Sequence, residues 1–218
     1  MGSQWGRDKV YLQAKKHGYR SRAAYKIRDI LRMYQVMRPE DNIIDLGAAP
    51  GSWLQILREE TDGAIIGIDL NSIQPIDRVT TIVGDFTKPA VVARVKEMMP
   101  IVNLVVCDAS PKISGQKSYD QARAMELNMK ALEFTKSVLI PGGNLVMKSF
   151  QGEDFGWLYQ KIKVEFFKVT THKAQASRRG STELYIIARN YRAGREDRIF
   201  GPSSGDELSE EQEDGTSR

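Results

Sequence analysis

Between Asn42 and Leu70 the chain alternates in a way that few folds accommodate. An apolar run, Asn42 to Leu46, stops at a turn holding two glycines and a proline, Gly47-Ala48-Ala49-Pro50-Gly51. A helical stretch follows from Gly51 to Glu60, and a second apolar run, Ala64 to Leu70, closes the unit. Short apolar runs joined through a helix read as a parallel β-turn-α-β unit whose strands are covered on both faces. The pattern continues with a strand near Thr80 to Val83, a helix carrying Val91, Val92, Val95 and Met98, and a strand from Ile101 to Cys107. A long helix near Tyr119 to Leu139 follows, with Ala122, Met125, Met129, Leu132 and Leu139 along one face. Pro141-Gly142-Gly143 is expected to break the chain before a strand at Asn144 to Lys148. Glu153 to Lys163 then reads as a helix with Phe155, Leu158, Tyr159 and Ile162 inward. Two more strands, about Glu165 to His172 and Thr182 to Asn190, come without an obvious helix between them. These elements predict an α/β fold with a mostly parallel sheet, one antiparallel strand and helices on both faces.

Ahead of this pattern, Ser21 is placed to cap a helix through Tyr34, with Ala23, Ala24, Ile27, Ile30, Leu31 and Tyr34 at helical spacing; Arg20, Arg22, Lys26, Arg28 and Arg32 occupy much of the rest. Charge is unevenly spread. Residues 1–40 carry ten Lys or Arg against three acids, and residues 203–218 carry six acids against Arg218 alone, so the net charge of +4 understates how basic the body is. A basic face displaces counterions from phosphate, which makes nucleic acid the natural partner, although a charge run by itself is also an ordinary solvated surface. At 218 residues the chain suits one domain over 1–202, including a basic amino-terminal helical extension to about residue 40. The polar, acidic stretch 203–218 is expected to be disordered. Its apolar runs are far shorter than the roughly 20 residues of a membrane span, and no signal segment leads the chain, so a soluble, cytoplasmic protein is expected. Cys107 stands alone and His17 and His172 lie far apart, which predicts neither a disulfide nor a bound metal. A monomer is the default expectation.

The glycine turn sits where an open α/β sheet binds ligands, at the carboxyl end of a strand just before a helix. Gly47 and Gly51 let the backbone turn tightly and leave amides free for a polar ligand group. It is not a dinucleotide fingerprint, because Ala49 stands where the second glycine of G-x-G-x-x-G belongs, and an NAD-dependent oxidoreductase is disfavoured accordingly. Asp69 ends the second strand, as an acid that accepts ribose hydroxyls does, and Asp85 one strand on is placed for an adenine amino group, with Phe86 available for stacking or for the core. Any one of these acids alone reads equally as a turn cap. Three in phase, Asp69, Asp85 and Asp108, favour an adenosine-type ligand.

Four stretches together, Asp45 to Trp53 (DLGAAPGSW), Val105 to Pro111 (VVCDASP), Gly142 to Phe150 (GGNLVMKSF) and Arg178 to Glu183 (RRGSTE), resemble the FtsJ/RrmJ ribose 2′-O-methyltransferases. The similarity runs from about Lys9 to Asn190. The resemblance implies a Rossmann-like, seven-stranded methyltransferase fold and S-adenosylmethionine as cofactor, contacted by Gly51, Trp53, Asp69, Asp85 and Asp108. It also implies a catalytic tetrad of Lys26, Asp108, Lys148 and Glu183. The substrate it implies is a uridine of large-subunit ribosomal RNA, naked or in the assembled large subunit. Relatives with the same tetrad modify tRNA or the mRNA cap, so tRNA methylation is the alternative substrate, and a cofactor-binding RNA chaperone or ribosome assembly factor is the alternative class. Some archaeal relatives add a carboxy-terminal RNA-binding module; nothing after Asn190 resembles one.

The residue types suit that chemistry. A ribose hydroxyl is a weak nucleophile that must attack in line while losing its proton, so the site needs a positioned basic group and little else. Lys148, at the end of its strand, is the candidate, acting either as base or, if charged, as a group that orients the hydroxyl and stabilises the developing alkoxide. Without the family pattern, Lys26 is a surface lysine or phosphate contact, Lys148 a snorkelling strand end, Glu183 a partner for Arg178 or Arg179, and Asp108 a strand-terminating turn residue. Cys107 reads as a small buried hydrophobe. Lys15, Lys16, Arg20, Arg22, Arg28, Arg32, Arg178 and Arg179 are the expected phosphate contacts.

Overall fold

A computed structural model of the chain describes residues 9–112, 114–174 and 182–194. In chain order the elements are α1 (Lys9–Lys16), α2 (Ala23–Tyr34), β1 (Ile43–Leu46), α3 (Ser52–Glu60), β2 (Ile65–Asp69), β3 (Thr80–Val83), α4 (Pro89–Met98), β4 (Val102–Cys107), α5 (Lys117–Val138), β5 (Leu139–Phe150), α6 (Phe155–Glu165), β6 (Phe166–His172) and β7 (Glu183–Tyr191). The strands form one seven-stranded sheet in the order β3-β2-β1-β4-β5-β7-β6. Its strands are parallel except β7, which runs antiparallel to both β5 and β6. That is the single reversed strand expected from the sequence. The acidic stretch 203–218 lies outside the described residues.

Every residue of β1 and all but one of β4 are buried, as a strand covered on both faces requires. The core divides accordingly into two layers. Ile44, Leu46, Val105, Cys107 and Met147 face α4, α5 and α6, and pack with Val95, Leu132, Phe134, Leu158 and Ile162. Ile43, Leu104, Val106 and Val146 face the other way, against Ile27 and Ile30 of α2 and Leu54 and Leu57 of α3. By the two-residue period of a strand, Asp45, Lys148 and Glu183 lie on this second face, beneath α2.

Three local expectations change. Gly51 is not the first residue of α3 but its N-cap, at φ 103°. Ser21 accepts a bond from the Ala23 amide at 3.2 Å, yet the N-cap position of α2 falls on Arg22, and the Ser21 hydroxyl lies 2.7 Å from that of Ser52. Pro141-Gly142-Gly143 does not precede its strand but interrupts it. β5 starts at Leu139, opposite Val102, and resumes its register with Asn144 opposite Leu104. Between those pairs the four residues 140–143 stand opposite Asn103 alone, and Gly142 at φ 82° turns the excess out of the ladder as a bulge.

Candidate active site

The turn after β1 is fixed from both sides. The amides of Gly47 and Ala48 donate to the Ile68 carbonyl of β2 at 2.9 and 3.2 Å. Gly47, at φ 74°, lies so close to the chain leaving β4 that an added Cβ would stand 2.6 Å from the Ala109 Cα. Asp69 is part of the same construction: its Oδ2 accepts from the Ala49 amide at 3.0 Å and its Oδ1 from the Asn71 amide at 2.8 Å. Asp85 accepts from the Thr87 amide at 2.9 Å, and hydrogen bonding from the Thr87 side chain and amide holds its carboxyl below the ordinary range.

Asp69, Asp85 and Asp108 converge on one cleft of about 590 Å³, floored by Gly47 and Ala49 and bounded on the far side by Arg123, Leu127 and Lys130 of α5. That volume suits a nucleoside-sized ligand. Phe86 reaches the cleft while packing edge-on against Phe134, 6.2 Å between ring centroids, so it serves wall and core together. Gly51 and Trp53 are not among the residues lining the cleft. The Trp53 ring is 2% exposed, donates its indole N–H to the Ala23 carbonyl at 2.9 Å and sits 5.8 Å from the Tyr185 ring. What Trp53 has to offer a ligand is its main-chain amide in the first turn of α3, where helical N–H groups have no partner in the helix.

The four residues of the expected tetrad come together on the α2 face, at the carboxyl edge of the parallel strands. Lys148 Nζ donates to the Asp108 carbonyl at 2.6 Å and lies 3.3 Å from Asp108 Oδ1. Lys26 Nζ lies 2.5 Å from Glu183 Oε1. Lys26 and Lys148 are both buried, each 8% exposed, so neither is a solvated surface lysine. Burial of a charge is tolerated when it is paired, and here two cations meet two acids. Three strand ends, β4, β5 and β7, supply Asp108, Lys148 and Glu183, and the helix that precedes the sheet supplies Lys26.

A fifth residue, not singled out from the sequence, joins the acids. Tyr185 is fully buried, its hydroxyl donates to Asp108 Oδ1 at 3.1 Å, and Glu183 Oε1 lies at 3.4 Å. Lys26 Nζ stands 5.8 Å from its ring centroid. Burial, reinforced by the charges of Asp108 and Glu183, raises the phenol well above its ordinary pKa, which favours the protonated, donating form. The available signal was spacing, since Tyr185 follows Glu183 by two residues on one strand and therefore shares its face.

Below this group, Asp45 is fully buried and neither of its carboxylate oxygens has a partner. Burial first, then the charges of Asp108 and Asp69, push its pKa well above the usual carboxylate range.

The basic residues divide. Arg28 bonds to the Tyr19 hydroxyl and pairs with Glu59 at 3.1 Å, and Arg20 bonds to main-chain carbonyls, so both are engaged within the fold. Arg32 is exposed but lies two residues before Tyr34, whose carbonyl accepts from Arg189. This is the amino edge of the sheet, away from Lys148. Lys16 is exposed on α1. Arg178 and Arg179 lie outside the described residues. Among the described residues no group of three or more His, Cys, Asp or Glu side chains is placed to hold a metal ion, and no helix is long and apolar enough to cross a membrane.

A sheet with one reversed strand, a glycine turn after β1, acids ending β2 and following β3 and β4, and a buried lysine paired with Asp108 beside the cleft define the class: a Rossmann-like methyltransferase. A model of the FtsJ-like methyltransferase family matches residues 19–191, and the chain belongs to that family. It is 62% identical over 191 residues to the ribosomal RNA large subunit methyltransferase E of Methanospirillum hungatei, a match covering 88% of this chain and 92% of that protein. The enzyme of the same name from Methanoregula boonei is 58% identical over 192 residues, 88% of this chain and all of that protein. Among solved structures, a ribosomal RNA methyltransferase of Plasmodium falciparum aligns with TM-score 0.74 and 28% identity over 80% of this chain and all of that one. Human methyltransferase-like protein 13, solved with S-adenosylhomocysteine, shares the fold at TM-score 0.55 and 13% identity, over 82% of this chain and 86% of that one.

Proposed function

We propose that this methyltransferase transfers the methyl group of S-adenosylmethionine to the ribose 2′-hydroxyl of a uridine in large-subunit ribosomal RNA, naked or within the assembled subunit, in the cytoplasm. The observation that carries the reading is the contact of buried Lys148 with Asp108 of the cleft, 2.6 Å to the carbonyl and 3.3 Å to the carboxylate, beside the Lys26–Glu183 pair. The names of the relatives support ribosomal RNA as substrate.

The cleft fits the cofactor chemically. Asp69 and Asp85 are acceptors for ribose hydroxyls and an adenine amino group, Asp108 adds a third acid, and the amide of Trp53 in the first turn of α3 offers a donor to a carboxylate, that of Gly51 being taken by the Ala48 carbonyl at 2.7 Å. S-adenosylmethionine supplies an electrophilic methyl group on a cationic sulfur. Lys148 acts on the nucleophile. Its two interactions with Asp108 leave an ammonium one further N–H, and leave a neutral amine its lone pair. The first orients the ribose oxygen and stabilises negative charge developing on it; the second takes the hydroxyl proton. Lys26, held by Glu183, adds a second cation on the same face, and Tyr185 fixes the Asp108 carboxylate that aims Lys148.

The test is mapping of ribose methylation after incubating purified protein, wild type or Lys148→Ala, with labelled cofactor and either large-subunit rRNA, large subunits or tRNA. One uridine 2′-O-methyl mark in large-subunit rRNA with wild type and none with the variant is expected. A mark in tRNA alone overturns the substrate and keeps the mechanism; a methylated base overturns the reaction; cofactor binding with no transfer to any RNA favours an assembly factor.

A further inference from the structure

Arg20 is expected among the phosphate-gripping cations, but its half-buried side chain bonds to main-chain carbonyls of the protein itself. Nη1 donates to the Pro50 carbonyl at 2.8 Å and Nη2 to the Pro75 carbonyl at 3.1 Å. Pro50 belongs to the glycine turn after β1. Pro75 belongs to the β2–β3 loop, whose first residues, Leu70 and Asn71, line the cleft beside Asp69. One side chain thus ties together two segments that wall the cleft. It also packs directly on the turn: a Cβ added at Gly51 would stand 2.5 Å from Nη1, with Ile73 and Ile76 of the same loop at 3.1 and 3.2 Å.

The main chain around Arg20 is fixed as well. Its amide donates to Gln55 Oε1 at 3.0 Å, and Gln55 Nε2 returns a bond to the Gly18 carbonyl at 2.9 Å. Six residues further on, the same segment delivers Lys26 to the tetrad. A planar guanidinium can address two carbonyls at once, which a lysine ammonium on a flexible stem does poorly.

We propose that Arg20 is a positioning residue for the cofactor, its guanidinium holding the glycine turn and the β2–β3 loop at the spacing the cleft requires, and that it is not an RNA phosphate contact. This rests on the reading of the cleft as the S-adenosylmethionine site. Full-length Arg20→Gln and Arg20→Lys are compared with wild type for binding of S-adenosylhomocysteine by calorimetry, for KM towards cofactor and RNA separately, for the salt dependence of the RNA KM, and for Tm. Arg20→Gln is expected to weaken S-adenosylhomocysteine binding and raise the cofactor KM by at least about tenfold, as loss of a charged hydrogen bond does. Arg20→Lys recovers part of that, and the RNA KM and its salt slope stay unchanged in both. Unchanged cofactor affinity with a raised RNA KM and a salt slope shallower by about one makes Arg20 a phosphate contact and overturns the proposal. A lowered Tm with wild-type affinity below the transition makes it a plain structural tie and overturns it too. If Arg20→Gln does not fold, Arg20→Lys decides by the same comparison. Calorimetry needs neither RNA nor turnover, so it stands even if the RNA substrate proposed above is wrong; a wild type that binds no S-adenosylhomocysteine overturns the cofactor reading along with this proposal.

Discussion

Replacing Tyr185 with phenylalanine removes one oxygen from the middle of the site and leaves the packing in place. The ring keeps its contact with Trp53, 5.8 Å between centroids, and its place beneath Lys26. What is lost is a bond from a fully buried phenol to the Asp108 carboxylate at 3.1 Å, with Glu183 the more distant acceptor at 3.4 Å. A hydrogen bond to a charged partner contributes about 1.5–3 kcal/mol. The Asp108 side chain is 21% exposed, so water replaces part of the loss and the lower end, about 1.5 kcal/mol, applies. For a chain of this size that lowers Tm by roughly 3–6 °C. The pH signature is separate. The folded phenol is raised well above its model value of 10.0, so its contribution is complete below about pH 10 and is lost as pH rises from there towards the folded pKa. Wild type therefore carries a steeper alkaline fall in stability than the phenylalanine variant, which keeps the contributions of Cys107 and Tyr19. Freed of its donor, the Asp108 carboxylate turns towards Lys148, and kcat falls about tenfold with the cofactor KM nearly unchanged. Calorimetric Tm from pH 7 to 11, with kcat and KM measured separately, tests all three. A variant with wild-type kcat, Tm and alkaline profile would refute the assignment of Tyr185 to the site.

The two glycines of the turn should differ in tolerance. Gly47→Ala drives a Cβ into the Ala109 backbone at 2.6 Å, which no side-chain movement relieves, and should cost about 3 kcal/mol or more, whereas at Gly51 the nearest atom is the end of the Arg20 side chain and the cost should be about 1–2 kcal/mol; denaturant melts of the two variants decide. Asp45, raised by burial and by Asp108 and Asp69, loses stability as pH climbs from its unfolded value through the folded one, so Asp45→Asn should raise Tm at pH 8 but not at pH 4, and an equal shift at both would argue against a neutral buried acid. The Cys107 thiol, buried and pushed up to about 12, should resist alkylation by iodoacetamide at pH 8 until the protein is denatured, as intact-mass spectrometry will record.

Much of this was legible in the sequence where the determining interactions are local. The turn Gly47–Gly51 and the acids at 69 and 85 follow from short apolar runs stopping at particular residues, and the structure places them around one cleft. Lys26 reads alone as a surface lysine; only the four motifs together singled it out, and its burial depends on α2 crossing β7, 157 residues away in the chain. Tyr185 was missed for the same reason, since its bond to Asp108 needs the antiparallel register that sets Lys148 opposite Tyr185. The bulge at Pro141-Gly142-Gly143 was read as a break because glycine and proline mark both, and only the neighbouring strand distinguishes them. Arg20 and Arg28 carry the same formal charge as Lys16, and nothing along the chain separates a cation held by carbonyls or Glu59 from one left to solvent.

The division of the sheet into two faces accounts for where the chemistry sits. On the α4–α6 face the strand residues from β1 to β5 are apolar as far as Cys107 and Met147, and beyond them Ser149 accepts from Asn128 of α5 at 3.2 Å. On the α2–α3 face the same strands end in Asp45, Asp108 and Lys148, and a helix covering them must supply polar partners as well as apolar ones. α2 does both within one amphipathic turn: Ile27 and Ile30 bury against Leu54 and Val106, while Lys26 pairs with Glu183. The segment just before it bonds to the glycine turn through Arg20 and to α3 through Gln55 and Ser52, and Ala23 at the start of α2 accepts from Trp53. A sheet beginning at β1 would carry the cleft and Asp108, Lys148 and Glu183, but not the Lys26 ammonium that meets Glu183. The helix placed ahead of β1 is thus what completes the site, and it does so by the same bonds that hold it to the fold.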